Sequence, residues 1–186
     1  MTVIVGEEVR TLDGDLIALF LERAVAPGRS AAETIEAVRA QGGLVGIPHP
    51  FDRYRGSLLR DATMASLAAK VDWVETHNAR LIGRGNEDAA RFARENGLPG
   101  IAVSDAHSIL EIGVAYTALD GDPSTPAGLL ASLSKSELVP GRATFTIRAW
   151  TPFAKLVNRA RGNVRVRPSA SVEAVPGSDP GTGDRQ

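Results

Sequence analysis

The chain has 186 residues, of which 43% are hydrophobic and 23% charged, and a formal net charge of −1. That balance suits one globular domain with a sizeable core and a short tail, and it argues against a broad electrostatic footprint for long nucleic acid. Cysteine is absent, which excludes disulfides, a thiol nucleophile and Cys-ligated zinc, so any metal must sit on His, Asp or Glu. No apolar run approaches the roughly 20 residues of a bilayer span, and no basic segment followed by an apolar stretch opens the chain. The expectation is a cytoplasmic protein without a membrane partner.

Taken in order, Thr2 to Val5 predict a strand that Gly6-Glu7-Glu8 ends. Val9 to Leu12 and Asp15 to Leu21 flank Asp13-Gly14, a dipeptide suited to a tight hairpin turn. After Pro27-Gly28, Ser30 and Glu33 have the spacing of a capping box for a helix with Ile35 and Val38 inward, stopped at Gly42-Gly43. Leu44 to Ile47 is a short apolar run, as a parallel strand covered on both faces requires, and it leads into Pro48-His49-Pro50, whose prolines predict extended backbone at the histidine.

Residues 51 to 57 predict a loop rich in arginine and aromatics, and a helix starts near Asp61 with Met64, Leu67 and Ala68 as its stripe. Val71 to Glu75 is the next strand, ending in Thr76-His77-Asn78. Asn86 is the predicted N-cap of a helix carrying Ala89, Ala90, Phe92 and Ala93 that closes at Asn96-Gly97. Gly100 to Val103 is a further apolar run, followed by Ser104-Asp105-Ala106-His107. Beyond it, Glu111 to Leu119 reads as a strand, Asp120 to Pro126 as a loop, Leu129 to Leu133 as a short helix, Ala143 to Trp150 as a strand, and Pro152 to Arg161 as a helix. The Pro-, Gly-, Ser- and Asp-rich residues 163–186 predict a disordered tail, leaving 1–162 as the domain.

Candidate chemistry lies at the strand ends. His49, His77 and Asp105 are 28 residues apart, each just after an apolar strand, which is the length of one helix-plus-strand unit. Parallel strands joined by right-handed crossovers gather their C-terminal ends on one face, where active sites of α/β folds lie. All three histidines of the chain fall there. If strand geometry persists, Asp105 and His107 project together, a carboxylate and an imidazole suited to Zn, Mn or Fe; the alternative is a helix-capping acid beside a solvated imidazole. Arg53, Arg55 and Arg80 follow the same strand ends, where a guanidinium fork holds phosphate oxygens or, more commonly, pairs with Asp or Glu. No glycine-rich phosphate loop or nucleophile elbow is present.

Glu8 after a glycine, Gly46-Ile-Pro-His-Pro50, Glu75-Thr-His-Asn-Ala-Arg80 and Ser104-Asp-Ala-His107 together resemble the PHP (polymerase and histidinol phosphatase) family, including its TrpH-like phosphoesterases. The resemblance spans about residues 3–160. It implies an α/β fold, a distorted (β/α)7 barrel, and a site with up to three divalent ions. By position, Glu8 matches a glutamate that bridges two metals, His49 the next histidine ligand, and Asp105 and His107 the paired late ligands. His77 is a weaker match, since relatives place the histidine three residues after the glutamate, at Asn78 here. The family's opening His-x-His strand and a further Asp-His pair have no counterpart before Val3, so the resemblance predicts a chain lacking the first strand–helix units, a truncated or shortened form with fewer metals. Two functions follow as expectations: metal-dependent hydrolysis of a small phosphorylated substrate such as a nucleotide, oligonucleotide or metabolite ester, or a non-catalytic remnant that binds a partner or ligand. An exposed sheet edge would favour homo-oligomers.

Overall fold

A computed structural model of the chain describes residues 2–52 and 61–142. All of them lie in the compact unit Met1–Thr151; a second unit, Pro152–Gln186, is outside the described residues. So are Arg53, Arg55, the predicted strand at 143–150, the helix to Arg161, the tail at 163–186 and the boundary between residues 162 and 163.

Five strands form one open sheet in sequence order: β1 (Gly6–Arg10), β2 (Asp15–Leu19), β3 (Leu44–Ile47), β4 (Trp73–Asn78) and β5 (Gly100–Val103). The pairs β1–β2 and β2–β3 are antiparallel, while β3–β4 and β4–β5 are parallel. Four helices accompany them, α1 (Ala31–Arg39), α2 (Asp61–Leu67), α3 (Gly85–Glu95) and α4 (Pro126–Leu133), and a separate two-stranded sheet joins β6 (Tyr116–Ala118) to β7 (Glu137–Val139). The mixed α/β architecture is the expected one. Among the described residues the sheet does not close, so they do not form the predicted seven-stranded barrel.

Strand alternation sorts the core into two layers. Leu16, Ala18, Val45, Ile47 and Val74 face one side, where Ile35 and Val38 of α1, Met64 and Leu67 of α2 and Ala93 of α3 cover them. Ile17, Leu19, Leu44, Trp73 and Ile101 face the other, packed with Leu119 and with Leu129 and Leu133 of α4. Gly46 is required on this second face because the Trp73 indole lies where a Cβ would stand.

The capping box is present: the Ser30 hydroxyl accepts from the Glu33 N–H at 3.2 Å, and the Ser30 N–H donates to Glu33 Oε2 at 2.9 Å. Other local expectations are corrected. Residues 2–5 are not a strand, and β1 begins at Gly6, because pairing runs from Gly6↔Leu19 to Arg10↔Asp15. The hairpin loop is therefore the four residues Thr11 to Gly14, closed by the Thr11 N–H on the Gly14 carbonyl at 3.0 Å and by the Thr11 hydroxyl, rather than a two-residue turn at Asp13-Gly14. α3 begins at Gly85 with Arg84 at the N-cap, since the Asn86 side chain is occupied in a clamp on β4. The predicted strand from Glu111 to Leu119 shrinks to β6, preceded by a 3-10 turn over Ile109–Glu111. β7 was not anticipated; its three residues carry no sequence signal beyond Leu138 and Val139.

Candidate active site at the strand ends

Because β3, β4 and β5 are parallel, their C-terminal ends bring His49, Asn78 and Asp105 together. His49 does not take the extended backbone its prolines predict. Its φ is +24°, in the left-handed region. The residue before a proline is restrained chiefly from right-handed helix, which leaves this conformation open, and tertiary bonds select it. The His49 N–H donates to Glu75 Oε2 at 2.9 Å, the Asp52 N–H donates to the His49 carbonyl at 3.0 Å, and His49 Nε2 lies 3.4 Å from Glu8 Oε1. The imidazole is buried, and Glu8 reaches it from β1 with half its side chain in solvent.

Glu75, which is outside the predicted ligand set, is the hub of the cluster. It is 5% exposed and accepts from both the His49 N–H and Asn78 Nδ2, the latter at 3.2 Å. Asn78 Nδ2 also donates to Asp105 Oδ2 at 3.1 Å. Burial pushes the Glu75 carboxyl above its usual range, and nearby Asp105 adds to this, against the hydrogen bonds from His49 and Asn78 and the His49 charge. An acid at the end of an otherwise apolar strand was the available signal, because such a group is costly to bury without a purpose.

A β-bulge sets the register of this cluster. In β4, Glu75 pairs with Ile101 and His77 with Ala102, so Thr76 is the extra residue. Residues three apart in a regular strand face opposite sides; the bulge restores Glu75 and Asn78 to one side, where they bond. His77 is turned elsewhere. Its Nε2 lies 2.8 Å from the Gly141 carbonyl and its Nδ1 3.4 Å from Asn86 Nδ2. A carbonyl only accepts, so Nε2 carries the proton and the remaining lone pair faces the Asn86 amide. Both nitrogens of His77 are thus engaged away from Glu75 and Asp105.

Asp105 and His107 do not continue the strand. β5 ends at Val103, and Asp105 has φ +49°, a conformation Asp tolerates. The break turns the Asp105 carboxylate inward to Asn78 and leaves His107 at the surface. His107 Nδ1 lies 2.9 Å from the Asp105 carbonyl and 3.6 Å from Asp105 Oδ1. The carbonyl fixes the proton on Nδ1 and assigns the lone pair to Nε2, the arrangement usual for a metal-ligating imidazole.

The segment after His107 inverts ordinary burial. Ile109, Leu110 and Ile112 are 83%, 65% and 70% exposed, while Glu111 among them is 0% exposed. Glu111 is ion-paired with Arg80 Nη1, accepts from the His107 N–H at 2.9 Å and accepts from the Ser108 hydroxyl at 3.1 Å. Burial alone would raise its carboxyl, but those two hydrogen bonds and the Arg80 charge outweigh it and hold the group below the usual range. Arg80, a candidate phosphate contact, thus gives its guanidinium to a buried carboxylate.

The donors suit a divalent ion in kind: carboxylate oxygens and imidazole nitrogens at one strand-end face. They do not converge. Among the described residues no three His, Asp or Glu side chains gather into a metal-binding group. Glu8 with His49 and Asp105 with His107 stand as two pairs joined through Glu75 and Asn78. Beside them a cavity of about 610 Å³ is lined by Ile17, Leu19, Trp73, Ile101 and Leu129, with Glu75, Ser104 and Thr117 among its polar members. No helix among the described residues is long and apolar enough to cross a membrane.

The chain is similar to PHP-type proteins in part of its sequence and in its fold. Residues 83–138, which contain Ser104 to His107, match the family model described as PHP-associated. More particularly, the chain is 34% identical over 115 residues to an uncharacterised protein of Methanocaldococcus jannaschii, covering 60% of this chain and 48% of that protein. In fold it is similar to a two-domain protein from Bacteroides vulgatus containing a predicted PHP-like metal-dependent phosphoesterase, with TM-score 0.60 and 16% identity over 76% of this chain and 45% of the other. It is also similar to PsfC from Pseudomonas syringae, with TM-score 0.54 and 20% identity over 85% of this chain and 65% of the other. The chain spans about half the length of the first two proteins.

Proposed function

We propose that the chain carries part of a PHP-type site for metal-dependent hydrolysis of a phosphate ester, with Glu8, His49, Asp105 and His107 as ligands. The observation that carries the reading is the chain of bonds from Glu8 through His49, Glu75 and Asn78 to Asp105, which ties candidate ligands on or just after β1, β3 and β5 together through two side chains of β4. The description of the Bacteroides vulgatus protein supports the same class.

Divalent ions, Mn, Fe or Zn, would supply Lewis-acid contact to a phosphate oxygen and a water acidified towards neutral pH. The protein's own residues hold the site in shape. Glu75 and Asn78 fix His49 and Asp105; the Asp105 carbonyl fixes the His107 tautomer and so presents Nε2 outward. Arg53 and Arg55 are the arginines proposed for phosphate oxygens, since Arg80 is paired with Glu111. His77 is left out of the ligand set on its bonds to Gly141 and Asn86. The substrate class is a small phosphorylated molecule, such as a nucleotide, short oligonucleotide or metabolite ester, and the location is proposed to be cytoplasmic.

A second reading is favoured by one observation, the absence of a three-donor group among the described residues. Under it the chain is a non-catalytic module that binds a ligand or partner, or a homo-oligomer formed through the sheet edge at β1. Turnover separates the two. With Mn²⁺ supplied, the protein is expected to hydrolyse a generic phosphodiester or a nucleotide monoester, and Asp105→Ala to lower the rate at least tenfold. Turnover equal in Asp105→Ala, or none in either protein, would defeat the enzyme reading.

A further inference from the structure

Two buried carboxylates outside the ligand set do the same thing to the two candidate ligand histidines. Glu75 Oε2 accepts the His49 main-chain N–H at 2.9 Å, and Glu111 Oε2 accepts the His107 main-chain N–H at 2.9 Å. The second case is the more informative, because Glu111 is fully buried between exposed Ile109, Leu110 and Ile112. Within the segment from Ser108 to Val114, the Glu111 N–H donates to the Ser108 carbonyl and the Val114 N–H to the Glu111 carbonyl, a tight turn folded back on its own acid. Arg80, on the chain leaving β4, supplies the charge that keeps that acid inside.

We propose that Glu111, held by Arg80, is a positioning residue that fixes the main chain of His107 and thereby presents His107 Nε2 to the site. The consequence is a link between two strand ends. Arg80 follows Asn78 by two residues, so one short segment at the C-terminal end of β4 holds Asp105 through the Asn78 side chain and His107 through Glu111. A displacement there moves both members of the late pair together. The inference rests on the phosphoesterase reading only for its bearing on metal; the hold on His107 stands by itself.

Residue-resolved amide hydrogen exchange on the full chain, with equilibrium dialysis of Mn²⁺ as a second arm, tests it. The double variant Glu111→Ala with Arg80→Leu removes both charges, so neither is left buried alone. In it the His107 amide is expected to exchange at least tenfold faster while the Val45 and Val74 amides keep their protection, and Mn²⁺ affinity is expected to fall roughly 10- to 100-fold, the range for outer-shell partners of metal ligands. Glu111→Gln retains an oxygen for the His107 N–H and should restore much of the protection. If the double variant opens globally, Glu111→Asp decides, since it keeps a charge for Arg80 but draws the acceptor away from His107, and the same local acceleration is expected. Unchanged His107 exchange overturns the inference, as does faster exchange in a protein whose Mn²⁺ affinity matches wild type. Wild-type protein that takes up no Mn²⁺ would defeat the metal reading, and the exchange arm would still decide whether Glu111 holds His107.

Discussion

Two glutamates less than 40 residues apart are buried in opposite electrostatic circumstances, and the contrast predicts opposite responses to pH. Burial raises Glu75 above its usual value, so its contribution to stability is fully present below the unfolded value near 4.5 and is lost as pH rises through the raised folded value. Glu111 is lowered, so its contribution is present above 4.5 and is lost as pH falls through the depressed folded value. Urea unfolding across a pH series should show both. Glu75→Gln, which mimics the protonated acid, should gain on wild type as pH rises. Glu111→Gln should be less stable by on the order of 2 kcal/mol at neutral pH, because a charged hydrogen bond to Arg80 is lost, with the gap closing in acid. The same sign for both variants would contradict the environments described.

At the scale of elements, the site depends on two features, the bulge in β4 and the seat that Gly46 leaves for the Trp73 indole. The bulge places Glu75 and Asn78 on one side and turns His77 out. Gly46 lets the Trp73 indole lie flat against β3, two residues from Glu75 on the same face. Gly46→Ala should therefore cost about 1–3 kcal/mol, the range for overpacking a well-filled core, measured by urea or thermal unfolding. A neutral result would mean that the indole has room to move.

Much of the element order was legible. The capping box at Ser30, the apolar run of β3 and the glycine stop at Gly97 are local signals, and each reads correctly because the physics behind it is local. The start of β1, the left-handed His49 and the bulge at Thr76 are set by partners distant in sequence, which no periodicity encodes. His77 shows the limit most clearly: two residues after Glu75, it would share that face in a regular strand, and it faces elsewhere because one inserted residue rephases β4.

Across the described residues, an open five-stranded sheet with helices on one face and α4 on the other gathers its chemistry where three parallel strands end. The sequence offers His49, Asp105 and His107 as candidates by type and spacing, and Glu8 through the family resemblance. Glu75, Asn78 and Glu111, which hold those residues in place, were not legible, because their role appears only when β4, β5 and the loop after β5 are side by side.

The chain has three histidines, so its imidazole resonances report the site without ambiguity. Mn²⁺ titration followed by paramagnetic broadening of those three signals is the most direct test of the strand-end face as a divalent-metal site. The account predicts that His49 and His107 broaden together at the lowest Mn²⁺ and His77 later, with the effect weakened in Asp105→Ala. Broadening that begins at His77, or that leaves His49 and His107 sharp at saturating Mn²⁺, would contradict it.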